Sequence, residues 1–149
     1  MPTISSEVLT LAFLIQALII AMFCRTLYQT ILLVREPSRT IGPGFVWLLL
    51  IPFFEKFWSF RVITSISSSL NKEFTDRNFE IEDRPGYLYG MMYAVLSLFS
   101  TIIVMIDPSL ILVAGVLNLT GLVFFVLYWT KINWYKKVLE DDHAETNSQ

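Results

Sequence analysis

The chain has 149 residues, of which 54% are hydrophobic, 15% aromatic and only 16% charged, with a formal net charge of −2. Soluble domains carry about 25% charge; here long apolar runs alternate with short charged ones, which excludes a disordered chain, a disulfide scaffold and an ordinary soluble domain. A weakly negative chain with one cysteine, Cys24, and one histidine, His143, also offers no basic field for nucleic acid, no internal disulfide, no all-cysteine metal site and no evident Ser-His or Cys-His pair.

A bilayer core of about 30 Å takes about 20 apolar helical residues. The first candidate covers 8–25, interrupted only by Thr10 and Gln16. Ser5 or Ser6 is placed to cap its start, and Glu7 suits the positive end of the helix dipole. Apolar residues return after Arg25 up to Val34, so the helix is expected to run on beyond the membrane and to stop before Glu36-Pro37. The N-terminal MPTISSE carries no lysine or arginine, and segment one reads as a retained span rather than a cleaved signal.

Segment two begins at Ile41-Gly42-Pro43-Gly44. Pro43 fits a first helical turn, and 44–63 is long enough to span if Glu55 and Lys56 are tolerated. Pro52 should kink it, because it removes one backbone hydrogen bond and crowds the preceding turn. The alternative is a re-entrant or interfacial segment two, with three spans only. Residues 71–84 form the main polar connection, Pro85-Gly86 precedes a third segment at 87–106, Asp107-Pro108 is a tight turn, and a fourth span covers 110–130. Its helix continues to about Leu139, and the acidic stretch 140–149 is expected to be disordered.

The expected fold is therefore all-α: one domain over 1–139, an integral membrane bundle of four transmembrane helices in a lipid bilayer. Four spans put both termini on one side. Lys72, Arg77, Arg84, Lys131, Lys136 and Lys137 share that side against Arg25, Arg35 and Arg39 on the other, so both termini are predicted cytoplasmic. Tyr87, Tyr89, Tyr128, Trp129, Trp134 and Tyr135 fit an aromatic belt at that boundary.

Glu55 and Lys56 are the most informative polar residues, because charge at membrane depth is costly and usually faces a bundle interior or a water-filled path. Glu55 shares a helical face with Ser59, while neighbouring residues point about 100° apart and need not pair. One reading is a cation or proton path with Glu55 as the titrating group. The other is a pair close enough to the interface to snorkel, favoured by a polar stripe only one turn long. Gln16, Asn118 and Thr120 are expected to hydrogen-bond between helices, or else to line a ligand or ion site. Gly86-x-x-x-Gly90, followed by Ala94 and Ser97, is a close-packing face, and Gly115 and Gly121 on segment four are its expected counterpart. Ser65 and Ser67 to Ser69 form a serine run with no accompanying histidine. The acidic residues Asp76, Glu80, Glu82 and Asp83 lack metal-loop spacing, so no catalytic, cofactor-binding or metal-ligating residue is predicted.

Three blocks carry a resemblance: Gly42-Pro43-Gly44-x-Val46-Trp47-Leu48-x-x-Ile51-Pro52; Trp58 with Ser69-Leu70-x-x-Glu73-Phe74-x-x-Arg77; and Tyr128-Trp129-x-Lys131-Ile132. Together, over roughly residues 40–137, they resemble an uncharacterised family of small bacterial multi-pass membrane proteins. The resemblance implies the bacterial cell (inner) membrane and no particular activity. Without a catalytic constellation, the first functional expectation is a non-enzymatic accessory or regulatory subunit with a protein partner. The alternative is a homo-oligomeric ion or proton channel, or small-solute transporter, using Glu55.

Overall fold

The computed structural model describes residues 6–146; residues 1–5, with the candidate cap Ser5, and residues 147–149 lie outside the described residues. Among the described residues the fold is entirely helical: α1 (Ser6–Leu33), α2 (Phe54–Asp76), α3 (Tyr87–Ile106) and α4 (Ile111–Thr146), joined through 3-10 helices at Glu36–Ser38, Pro43–Leu50 and Pro108–Leu110.

α1 has 28 residues, about 42 Å at 1.5 Å per residue, which exceeds the bilayer core. It ends at Leu33, where Glu36-Pro37 cannot continue it. The Arg39 guanidinium closes this end by donating to the carbonyl oxygens of Val34 (2.8 Å) and Leu32 (3.0 Å).

Segment two is not one kinked helix. Pro43–Leu50 forms a 3-10 helix of eight residues, well beyond the usual three or four, and α2 starts only at Phe54. Between them Pro52 cannot donate to a helix, and Phe53 adopts φ 65, a left-handed conformation costly for a residue with a Cβ. The chain reverses there. On the way in, Val46 backs onto α1, its carbonyl oxygen accepting from the Cys24 thiol (3.4 Å). On the way out, Trp58 Nε1 donates to the Phe45 carbonyl (2.9 Å), tying the two arms together.

The hairpin begins and ends at the same end of the bundle. Thr40 donates its N–H to Ser69 Oγ (2.9 Å) and its hydroxyl to the Ser65 carbonyl (2.6 Å), and Arg35 Nε donates to Glu73 (2.9 Å). Residues 44–63 therefore leave and return to one end of the bundle, rather than running its length as one helix as the sequence suggested. The helices long and apolar enough to cross a membrane are three: Ser6–Leu33, Tyr87–Ile106 and Pro108–Glu145.

α3 and α4 form the expected antiparallel hairpin, with the Asp107 carboxylate accepting from the Ser109 N–H (2.9 Å) at the turn. Gly86 opens α3 at φ 67. Gly90 is where α2 and α4 reach α3: a Cβ there would lie 2.8 Å from Ile63 Cγ2 and 3.0 Å from Tyr128 Cε2. The counterpart of the small-residue face is thus Ile63 and Tyr128. Of the two expected glycines of α4, Gly115 meets nothing, whereas Gly121 is buried and a Cβ there would face Leu96 (3.6 Å) and the Tyr93 carbonyl (4.0 Å) of α3; Ala114 is buried as well.

α1 and α4 run parallel. Phe23 meets Phe125 (ring centroids 4.8 Å), Thr26 Oγ1 accepts from Trp129 Nε1 (3.1 Å) and Gln29 Oε1 accepts from Lys136 Nζ (2.8 Å), so both helices advance together. The Ser6 end of α1 and the Thr146 end of α4 therefore lie at opposite ends of the molecule, against the expectation that both termini share one side. Two further boundaries move. α2 extends to Asp76 into the presumed polar connection, and α4 extends to Thr146 through most of the presumed disordered tail.

Candidate functional site

The hairpin stops halfway along the bundle. Lys56, two residues into α2, donates from Nζ to Ser97 Oγ at 2.6 Å, and Ser97 is mid-way along α3. Glu55 and Lys56 do pair, at 2.8 Å between Nζ and Oε1, although consecutive residues of a helix diverge. The first turn of α2 and the long lysine stem make the reach possible. Glu55 is 15% and Lys56 23% exposed, so most of their water has been replaced by protein. The pair therefore lies level with the middle of α3 rather than at an end of the bundle.

Below the hairpin tip α1 stands away from α3 and α4, and an open crevice of about 460 Å³ separates them. Gln16 from α1, Glu55 and Lys56 from α2, Ser97 from α3 and Asn118 from α4 all line it. A second opening of about 260 Å³, between α1 and the tip at Pro52-Phe53, is bordered again by Gln16, Glu55 and Lys56, and by Thr101. Four of the five polar residues singled out from the sequence therefore converge on one space. Asn118 is also held across the helix pair: its Nδ2 donates to Ser100 Oγ (2.7 Å), and Ser100 donates to the Ala114 carbonyl (3.1 Å). Ser59 lies on the other side of Glu55, buried, with its hydroxyl donating to the Lys56 carbonyl (3.2 Å). The serine run plays a different part: Ser69 and the Ser65 carbonyl receive Thr40 and fix the entry of the hairpin.

The arrangement offers one carboxylate, one ammonium and several hydroxyl and amide groups, with no nucleophile aligned on a base. Glu55 can accept a proton or a cation, and either event competes with Lys56 for its charge. Ser97 and the crevice then receive the ammonium.

Sequence reasoning passed over a second polar cluster at the end of the bundle that carries Arg35 and the reach of α4. Glu73 is fully buried and accepts from the Arg35 N–H (3.0 Å), Arg35 Nε (2.9 Å) and Arg77 Nε (2.8 Å). Arg77 pairs in turn with Asp142 and approaches His143 Nε2 (3.4 Å). Burial pushes the Glu73 carboxyl upward, but the bonds from Arg77 and Arg35 outweigh it and hold the group below the ordinary carboxylate range. Nearby, Glu82 accepts from Lys131 (2.8 Å), Tyr135 (2.7 Å) and the Gly86 N–H (3.1 Å), which hold it low against a similar burial effect. The signal was present in the sequence: Glu73 and Arg77 stand four apart, between Leu70 and Phe74, as a helix continuing past residue 71 would place them.

The fold and site together define a helical protein with three helices of membrane-spanning length and composition, and a hairpin that carries an ion pair in among them. No protein-family model, curated protein or solved structure matches the chain.

Proposed function

We propose that this is a membrane protein that crosses the bilayer three times and passes protons or another small cation along the crevice at the hairpin tip, with Glu55 as the group that takes up the cation. The observation that carries this reading is the convergence of Gln16, Glu55, Lys56, Ser97 and Asn118 on one crevice at mid-height. Buried charge in a membrane costs several kcal/mol unless it is paired, and it concentrates on ion and proton pathways. Irregular backbone at membrane depth is tolerated where protein or a water-filled cavity surrounds it. The 3-10 arm, the turn at Phe53 and the crevice together meet that condition.

In this reading residues 41–76 form a re-entrant hairpin. All 11 lysines and arginines except Lys56 belong to the half of the bundle that holds the hairpin's entry and the end of α4. The positive-inside rule makes that half cytoplasmic, the N-terminus extracytoplasmic and the crevice open away from the cytoplasm. The family resemblance agrees with the bacterial cell membrane. Lys56 acts as a tethered counter-ion, holding the carboxylate when no other cation does.

The crevice is open at its side, so a continuous path needs further protein. The exposed face of the hairpin, with Phe45, Trp47, Phe53 and Phe57, supports a homo-oligomer. The accessory-subunit reading rests on the same face with a different protein against it. Liposome flux tests the proposal. Purified protein should dissipate a proton or cation gradient, Glu55→Gln should abolish the flux, and Lys56→Met should change its rate while leaving it dependent on Glu55. Flux equal to wild type in Glu55→Gln would contradict it.

A further inference from the structure

Next to the crevice, with which it shares Glu55, Tyr93 and Phe125, lies a small cavity of about 30 Å³ lined by Glu55 and Ser59 of α2, Tyr93 of α3, Tyr128 of α4 and apolar residues including Phe23 and Ile63. Its size decides what it can hold. One water needs roughly 10–15 Å³ measured this way, together with two to four polar partners. The cavity has room for one or two waters and for nothing larger.

One of its lining residues carries a polar atom without a partner. Tyr128 is 1% exposed, and its hydroxyl is the one buried side-chain oxygen or nitrogen without a hydrogen-bond partner among the described residues. A buried hydroxyl left without a partner costs roughly 1–3 kcal/mol. A phenylalanine would fill the same place without that cost. The ring is held on its other side: Tyr128 Cε2 is what a Cβ on Gly90 would meet at 3.0 Å, and Tyr128 packs edge-on to Phe23 at 5.9 Å between centroids. The ionisable groups around Glu55 come from every neighbouring element: Lys56 from its own helix, Cys24 from α1, Tyr93 from α3 and Tyr128 from α4. Lys56 is the positively charged one, and it stands on the crevice side.

We infer that this cavity is a water site, in which bound water bridges Tyr128 Oη, Ser59 Oγ and the Glu55 carboxylate and carries the proton of Glu55 from the crevice into the interior of the bundle. This deepens the proposed function and, for its transport role, rests on it; the water itself does not. Glu55 then has two faces. The crevice face exchanges with Lys56 and the outside, and the inner face exchanges with water held by Tyr128. No bond other than O–H is made or broken: the proton leaves one oxygen as it joins the next.

The test is infrared difference spectroscopy of the protein in lipid nanodiscs, between pH values at which Glu55 is protonated and ionised, with Glu55→Gln assigning its carboxyl band. Repeating the measurement in H₂¹⁸O should shift a sharp water O–H band that appears with the Glu55 change. Tyr128→Phe should abolish that band and keep the Glu55 carboxyl band, and Ser59→Ala should shift its frequency. Should Tyr128→Phe fail to fold, Ser59→Ala carries the test alone, and an unshifted band there overturns the inference. Absence of any isotope-sensitive band, or its persistence in folded Tyr128→Phe, overturns it as well. The two ideas separate cleanly: wild-type flux in Glu55→Gln with the water band present refutes the pathway and keeps the water site, whereas lost flux with no such band does the reverse.

Discussion

At the end of the bundle that holds the hairpin entry and the reach of α4, Leu27, Ile31, Val34, Leu70, Phe74, Ile132 and Leu139 are buried, and lysines and arginines surround them. At the other end Val8, Leu11, Phe13, Leu14, Leu18, Met105, Ile106 and Leu112 are exposed, while the polar groups Lys56, Ser97 and Ser100 turn inward. The first arrangement suits water and the second suits hydrocarbon. In the watery half, burial of apolar surface supplies the cohesion, at about 25 cal/mol per Å². In the other half lipid is as apolar as leucine, so cohesion rests on close packing and hydrogen bonds between helices. A charge buried in each half accordingly does a different job: Glu73 is locked by two arginines, whereas Glu55 is held by one lysine and opens onto a crevice.

The contrast can be broken first at Glu73. Glu73→Ala removes the carboxylate that Arg35 and Arg77 share and should cost about 3 kcal/mol, near the low end for a severed buried pair, because Arg77 keeps Asp142 and Arg35 is 51% exposed and can turn to water. Loss of helicity on titration with a denaturing detergent measures this, and early proteolysis should fall on the end of α4 that Arg77 retains. Glu55→Gln should leave that unfolding curve nearly unmoved and act on flux instead.

Gly90→Ala comes next. Its new methyl meets Ile63 at 2.8 Å and Tyr128 at 3.0 Å, and overpacking of this kind costs about 1–3 kcal/mol. Gly115→Ala, with nothing within 4 Å, should be neutral or slightly stabilising in the same assay.

Acid should loosen the watery half through Glu73. The Glu73 carboxyl is held low in the folded protein, so its contribution is complete above the unfolded value near 4.5 and is lost as pH falls through the lower folded value. Proteolytic sensitivity of residues 140–146 should therefore rise below pH 4.5 in the wild type, and already be high and flat with pH in Glu73→Gln. The smallest effect is expected from Ser100→Ala, which removes the link between Asn118 and the Ala114 carbonyl for about 0.6 kcal/mol, a typical value for such bonds in membranes.

The same division explains what could be read from the sequence. α1, α3 and α4 announce themselves, because a long uncharged run has few other solutions. The turn at Asp107-Pro108 and the polar residues Glu55, Lys56, Gln16 and Asn118, which line one crevice, were legible for the same reason: polar groups stand out against an apolar background. Segment two was not, because its composition is that of a span and only its contacts reveal the reversal. Phe53 at φ 65 carries no residue signature, and Pro52 predicts a kink as readily as a turn. The two topologies differ through that one segment, since a hairpin in place of a span places Arg35 and Arg39 on the other side. The Glu73 cluster was hidden because burial of a charge depends on Arg35, Arg77 and Asp142, which only the fold brings together.

The most direct test of the account asks where the hairpin's two ends lie. With Cys24 replaced by serine, single cysteines at Glu36→Cys, Glu80→Cys and Ser109→Cys can be labelled by a membrane-impermeant maleimide in intact and inverted vesicles. The account predicts that positions 36 and 80 react from the same, cytoplasmic side and position 109 from the opposite one. Labelling of 36 together with 109, and of 80 from the other side, would mean that segment two crosses the membrane and would contradict it.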